Sequence, residues 1–584
     1  MKAGAGKSEI VLAEEYLEIE DFAVIHRTLN ARAVVIQSGQ TVVLLSLEIT
    51  SMPDEETYAI RKKIAENYPV EEDHVWVCVT HTFSAPHLLP DFVLKDSDKI
   101  AEKAKYREEL IRASLEAVGK GFAGLQKAFV GIGEGYSLVN CNRDVQLEDG
   151  WWVGTCGPGI CDHKVSVVRI NKEDGTPMAA LFHYGLQSSV LDGSALSAGG
   201  KAVSPDVAGI ACDYVEKNTG DDDFVALYLI GAAGDQAPVE KAVTETFVRG
   251  EKIKTDRREE GFGICEKLGN SLGETVCQIN GQITCEEMAQ ELEVGKIEFS
   301  VPGKEMEREL KKLHPMKIPE YIPAQDKVTT VETICLGDLA LVGVKPELNC
   351  KSGIALGTFS PYRYTWVCTM VNGGAKYMAE RDAYDNSKYE AMNSPFGKGA
   401  AEILLRKALG LLEERENTKK QDETSKLQKH KLSSFLEDSE YSALLSGKLY
   451  GQSASQIHVS STNTFSEVAT LMVKFYNITE IAEQFEHDNL QMSWNIKSRL
   501  RELTGLEENA IIFNNSNKMS EFLIVKTADA KEFRALAENI LKEFPLEEYG
   551  PVSVVLHEQT SSLDDIGTVY RELISTLITR CLLY

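Results

Sequence analysis

Short β-rich runs and helical stretches alternate along the chain from Glu9 to Glu416. Ala33–Ile36 and Thr41–Leu47 are apolar and β-branched, with a Ser-Gly-Gln turn between them. Glu55–Asn67 has helical spacing and leads into the strand-like His74–Val79, and a long helical pattern, Asp96–Leu125, follows. Val165–Ile170, Met178–His183, Phe224–Ile230, Leu339–Val344 and Arg363–Val371 again read as strands. Buried strands alternating with helices indicate an α/β domain with a large mixed sheet. No linker interrupts it before Glu416, so residues 1–416 are expected to form one domain.

Polarity then changes abruptly. Asn417–Lys431 is charged and poor in apolar residues, and Leu432–Leu449 regains helical spacing, so 417–449 reads as a charged linker and helix. Residues 450–584 carry a compact α+β pattern. Val468–Tyr476 is a predicted strand, Ile478–Leu503 a helix, and Ala510–Phe513 with Phe522–Val525 a strand pair. Ala528–Phe544 (helix), Val552–Leu556 (strand) and Asp564–Leu582 (helix) complete it.

Composition narrows the class without naming a function. The 584 residues are 43% hydrophobic and 26% charged, ordinary for a globular protein. A net charge of -27 argues against nonspecific nucleic-acid binding, which needs a basic face. No run approaches the ~20 apolar residues of a membrane span, and Met1–Leu12 lacks the apolar stretch of a signal peptide. With 12 scattered cysteines and no CxxC pair, reduced thiols and a cytoplasmic location are expected. Gly4-Ala-Gly-Lys7-Ser8 lacks the preceding glycine and strand of a phosphate-binding loop.

Sites in open α/β sheets lie beyond the carboxyl ends of strands, so polar residues after apolar runs are the first candidates. Val75–Val79 runs into Thr80-His81, Met178–Phe182 into His183, and Leu339–Val344 into Lys345-Pro346-Glu347. Tyr364–Val371 runs through Asn372-Gly-Gly to Tyr377. Two imidazoles and a carboxylate make a hydrolytic zinc shell that leaves one position open for water or substrate. A histidine at a strand end equally serves as a structural residue satisfied by backbone groups.

Motifs in sequence give these positions a family context. Thr80-His81-Thr82-Phe83-Ser84-Ala85-Pro86 resembles the THTHSGP segment of neutral ceramidases, and Leu181-Phe-His183 their second histidine segment. Gly231-Ala-Ala-Gly-Asp235-Gln-Ala-Pro238 resembles their GDVSP loop, and Val344-Lys-Pro-Glu347 their PGE segment. Asn142-Arg143 and Asp162–Arg169 fall in the same order. The resemblance implies a metallohydrolase-like fold and a zinc ion held by His81, His183, Glu347 and Tyr377, with Tyr384 a competing fourth ligand. It further implies water-mediated hydrolysis of a linear amide in an N-acyl, lipid-like substrate, with His81 and Asp235 in the catalytic set. Two departures stand out: the family's second histidine is Phe83, which cannot carry a proton, and its loop serine is Ala237. His87 is the candidate stand-in for the missing proton carrier. A non-catalytic binding or sensory protein on the same fold is the alternative.

The last segment resembles the middle portion of bacterial AraC-type regulators of the YesN kind, through Val552–Leu556, Ser562–Ile566 and Tyr570–Leu573. That portion looks like a degenerate diguanylate cyclase domain. Asn514–Ser520 stands where a cyclase carries its acidic metal-binding hairpin, which implies no cyclase activity. The resemblance suggests a regulatory role and self-association, without direct DNA reading.

Overall fold

The computed structural model describes residues 1–417 except 89–93, 95, 148–149, 155–158, 220–222, 249–250, 288–291 and 307–320. Beyond 417 it describes 468–475, 481, 489–503, 510–514, 521–526, 530–545, 549, 552–561, 569 and 572–573. The expected linker, the helix at 432–449, the 515–520 hairpin tip and most of the last helix therefore lie outside the described residues.

Eight strands form one large mixed sheet. In spatial order they are Val225–Ile230, Pro177–Tyr184, Lys164–Lys172, Gln126–Tyr136, Lys2–Ile10, Leu29–Ser38, Gln40–Leu47 and Val75–Val79. Only the outermost pair at each edge is parallel. A second sheet of four strands, Glu293–Lys304, Pro323–Leu336, Leu339–Val344 and Tyr364–Cys368, packs against it. Val34, Leu44, Trp76, Leu181 and Leu229 meet Leu341 and Trp366 in that interface. The other face of the large sheet buries Val35, Leu45 and Val77 against Ser97–Ala123, and Phe182 and Tyr228 against Asp206–Thr219 and Glu260–Gln282. Cys350–Phe359 and Ala400–Asn417 cover the outer face of the second sheet. The result is four layers, helix–sheet–sheet–helix. Each strand residue faces one side or the other with period two.

One strand was invisible in the hydrophobic pattern. Lys2–Ile10 runs antiparallel to Leu29–Ser38, although it is rich in glycine and lysine. Its glycines are required by close packing: a Cβ on Gly4 would stand 2.1 Å from the Gly121 carbonyl oxygen, and one on Gly6 2.2 Å from that of Ala117. Strand and long helix meet backbone to backbone there.

In the last segment, Val468–Phe475, Asn489–Leu503, Ala510–Asn514, Glu521–Lys526, Ala530–Glu543 and Val552–Ser561 follow in βαββαβ order. The four strands form an antiparallel sheet with its own core around Phe475, Phe522, Ile524 and Phe544. This is split-βαβ topology. Among the described residues no helix is long and apolar enough to cross a membrane.

Candidate functional site

His81 directly follows the strand Val75–Val79 and Thr80, and its backbone turns at φ 57. That left-handed conformation is rare for a residue with a side chain, and here it turns the ring back into the protein. Nδ1 lies against the Thr50 carbonyl oxygen. A carbonyl only accepts, so Nδ1 carries the proton and Nε2 is the atom presented to the site. Nε2 stands 3.2 Å from Glu347 Oε2, an ion-pair distance without the alignment of a good hydrogen bond. Burial alone would lower the His81 pKa, but the facing Glu347 carboxylate holds it above the ordinary value. Burial opposes ionisation of Glu347 too, yet His81 and Arg143 hold its carboxyl below the usual range.

The loop after the strand Pro177–Tyr184 completes this corner. Thr82 bridges Ser188, and Phe83 N–H donates to the Ser188 carbonyl at 3.0 Å, so the two loops run side by side. The adjacent Gln187 thereby reaches Glu347, with Nε2 to Oε2 at 2.8 Å. Arg143 Nη1 donates to Gln187 Oε1 at 2.9 Å. Because guanidinium only donates, this contact fixes which end of the amide is oxygen. Gln187 therefore turns its NH2, not its carbonyl, toward Glu347.

Arg143 is the centre of the arrangement. Nε and Nη2 donate to Glu390 Oε1 at 2.9 and 2.6 Å, and the guanidinium lies 5.3 Å from the Tyr377 ring centre and 5.0 Å from that of Tyr389. Glu390 is fully buried; burial, then neighbouring Asp144, push its carboxyl well above the ordinary range against the pull of Arg143. Tyr377 is placed by a two-residue parallel pairing in which it stands opposite Glu347. Tyr384 is elsewhere, its hydroxyl donating to the Phe396 carbonyl at 2.7 Å in a separate cluster with Tyr321.

Asp235 serves this site from behind. Its Oδ1 accepts from Cys350 N–H at 2.8 Å and Gln236 Nε2 at 3.0 Å, and its Oδ2 accepts from Asn142 Nδ2 at 2.9 Å. It stands at the N-terminal end of the helix Cys350–Phe359, where a carboxylate is favoured. Its carbonyl accepts from Arg143 N–H at 2.8 Å. Burial and the nearby Asp144 push its pKa up to about 6. The carboxylate bonds hold Asp235 in place, and its carbonyl ties the backbone of Arg143 to it. His87 is held by Glu20, through Nδ1 to Oε2 at 2.7 Å, and lines a cavity of about 350 Å³.

The structure separates His183 from His81 and Glu347. His183 is still inside its strand and shares the side of Ala179 and Leu181, which faces the second sheet. There it stacks on Trp366 at 5.6 Å, and its Nε2 donates to the Val367 carbonyl at 3.0 Å. Burial pushes its pKa down, which keeps the ring neutral. The structural use of a strand-end histidine applies here. Gln187, four residues further on, is the side chain of this loop that reaches Glu347. The strand-end signal existed for Gln187, since it too follows the apolar run, but the first polar residue was not the one that reaches the site.

Among the described residues, no three histidine, cysteine, aspartate or glutamate side chains are grouped to hold a metal ion. The donor chemistry gives the reason. A zinc shell of His81 and Glu347 needs a third basic arm, and the side chain that arrives is the NH2 of Gln187 backed by a guanidinium. Of the expected set, His81, Glu347 and Tyr377 lie together and His183 lies in the sheet interface, so the second imidazole of such a shell is not beside them.

No family model and no curated protein matches the chain. Among solved structures it is similar to a ceramidase complexed with C2, at 18% identity and a TM-score of 0.54, over 71% of this chain and 75% of that one. It is likewise similar to neutral ceramidase from Pseudomonas aeruginosa, at 18% identity and a TM-score of 0.53, over 74% of each chain. At such identity the likeness is one of fold: the chain has a ceramidase-like fold.

Proposed function

We propose that the protein is a small-molecule-binding member of the ceramidase-like fold, with a site that works without a metal. The observation that carries this is the Gln187–Arg143 pair, which puts an amide NH2 and a fixed positive charge where a third metal ligand would be needed. The His81–Glu347 pair then balances its own charge. A cavity of about 70 Å³ opens beside Arg143, Gln187, Tyr377, Tyr389 and Phe83 and is the natural recognition point. The C-terminal βαββαβ module supports a regulatory output, with self-association as its simplest form. Thermal melting with excess zinc and with chelator tests the metal-free reading: the midpoint should be the same in both, and a zinc-dependent rise of more than about 4 °C, the effect of roughly 3–4 kcal/mol in a domain this size, would overturn it.

A second reading is zinc-dependent hydrolysis of an N-acyl amide. It is favoured by the 3.2 Å spacing of His81 Nε2 and Glu347 Oε2, close to the roughly 3.3 Å between two tetrahedral zinc ligands. It requires Gln187 to give up its bond to Arg143. Turnover of N-acyl substrates that is lost with chelator and restored by zinc would establish it.

A further inference from the structure

Two cavities meet at Phe83 and Asp192, which line both. The smaller, about 70 Å³, is the one beside Arg143 and Lys241; the larger, about 350 Å³, is bounded in part by Lys201 and Arg258. The charge of this cleft is opposite to that of the chain. Against a net -27 for the whole protein, four cationic side chains line the two cavities and Asp192 is the one carboxylate among the lining residues. Asp192 is already engaged, 3.5 Å from Lys241 Nζ. Lys201 Nζ lies 4.5 Å from the centre of the Phe22 ring, and Arg258 is exposed. Arg143, with five N–H donors, donates to Glu390 and Gln187 and hydrogen-bonds Tyr377.

The larger cavity offers apolar surface on one part of its wall. Phe22, Phe83, Leu191, Leu196 and Phe262 supply that surface beside the polar Ser84, His87 and Ser194, and the volume is at the lower end of the roughly 300–1,000 Å³ of small-molecule sites. The smaller cavity has room for about two waters, or for one carboxylate. Phe83 matters here for a second reason. In place of a proton-carrying histidine it offers an apolar surface to both cavities, its ring edge-on to His81 at 4.7 Å.

We infer that the cleft binds an anionic amphiphile: a carboxylate enters the smaller cavity against Arg143 and Lys241, and an acyl or aromatic body lies along Phe83 in the larger one. This rests on the small-molecule-binding reading above and adds the sign of the ligand's charge. An open cationic cleft on an acidic protein draws anions selectively, because most of the surrounding surface repels them. A charge-assisted bond from Arg143 and the Lys241 ammonium suit a carboxylate there.

Calorimetric titration of the full chain tests it with three probes: N-octanoylglycine, octanoate, and the neutral N-octanoylethanolamine. At least one carboxylate should bind about tenfold or more tightly than the neutral amide, and its affinity should fall with salt. Preference for N-octanoylglycine over octanoate would assign an acylated amino acid, and the reverse a free acid; either supports the inference. Lys241→Met should weaken the carboxylate at least fivefold and leave the neutral probe within twofold. Equal affinity for charged and neutral probes overturns the anionic inference and leaves the binding site standing. No binding of any of the three overturns both.

Discussion

His81 and His183 follow similar apolar runs, yet they end in different worlds. His81 stands beyond its strand, turned by a left-handed backbone into a polar corner, with Glu347 holding it toward the charged form. His183 is one residue short of its strand's end and belongs to the interface between two sheets, neutral and stacked on Trp366. One is part of the site and the other is part of the packing that supports it. An apolar run shows where a strand ends, but a strand's two-residue period decides which face its last side chain takes.

Glu347→Ala should have the largest effect. It leaves His81 buried without its carboxylate, and loss of one member of a buried pair costs about 3–5 kcal/mol, read as a lower midpoint in urea unfolding. An unchanged midpoint would show that His81 is neutral and indifferent to Glu347. His183→Ala comes next: loss of the ring from a packed interface should cost about 2–4 kcal/mol without altering ligand affinity beyond twofold. A large loss of binding there would erase the distinction between the two histidines.

The smallest effect sharpens the contrast by charge. In selectively labelled protein, NMR should find the His81 ring titrating above the ordinary histidine value and His183 below it. The linked stabilities have opposite signs. The contribution of His81 is complete below the unfolded-state pKa and is lost as pH rises through its raised folded value. That of His183 is present above the unfolded-state pKa and is lost as pH falls through its depressed value. Coincident titrations would remove the electrostatic difference.

Much of the α/β framework could be read from sequence because its central strands are buried on both faces. Val42–Leu45 and Leu339–Val344 are continuous apolar runs, and the structure places them where such runs must go, between layers. Lys2–Ile10 escaped notice because close helix packing demands glycine where strand propensity demands β-branched residues. The site was legible in part. His81 and Glu347 adjoin, with Tyr377 opposite Glu347 in the strand pairing. Gln187, Tyr389 and Glu390 were not singled out, because an amide, a phenol and a buried carboxylate give no local pattern until Arg143 draws them together. Asp235 was visible, but its three donors and its place at a helix N-terminus are tertiary facts.

On the metal-free reading, Gln187, held by Arg143, fills the position that a third protein ligand of zinc would need. Metal analysis by mass spectrometry after purification with zinc tests it directly, using wild-type protein beside Gln187→His. Wild-type protein should carry well under ~0.2 zinc per chain, rising toward about one per chain in the histidine variant, where an imidazole supplies the third protein arm beside His81 and Glu347. About one zinc per chain in the wild type would contradict it.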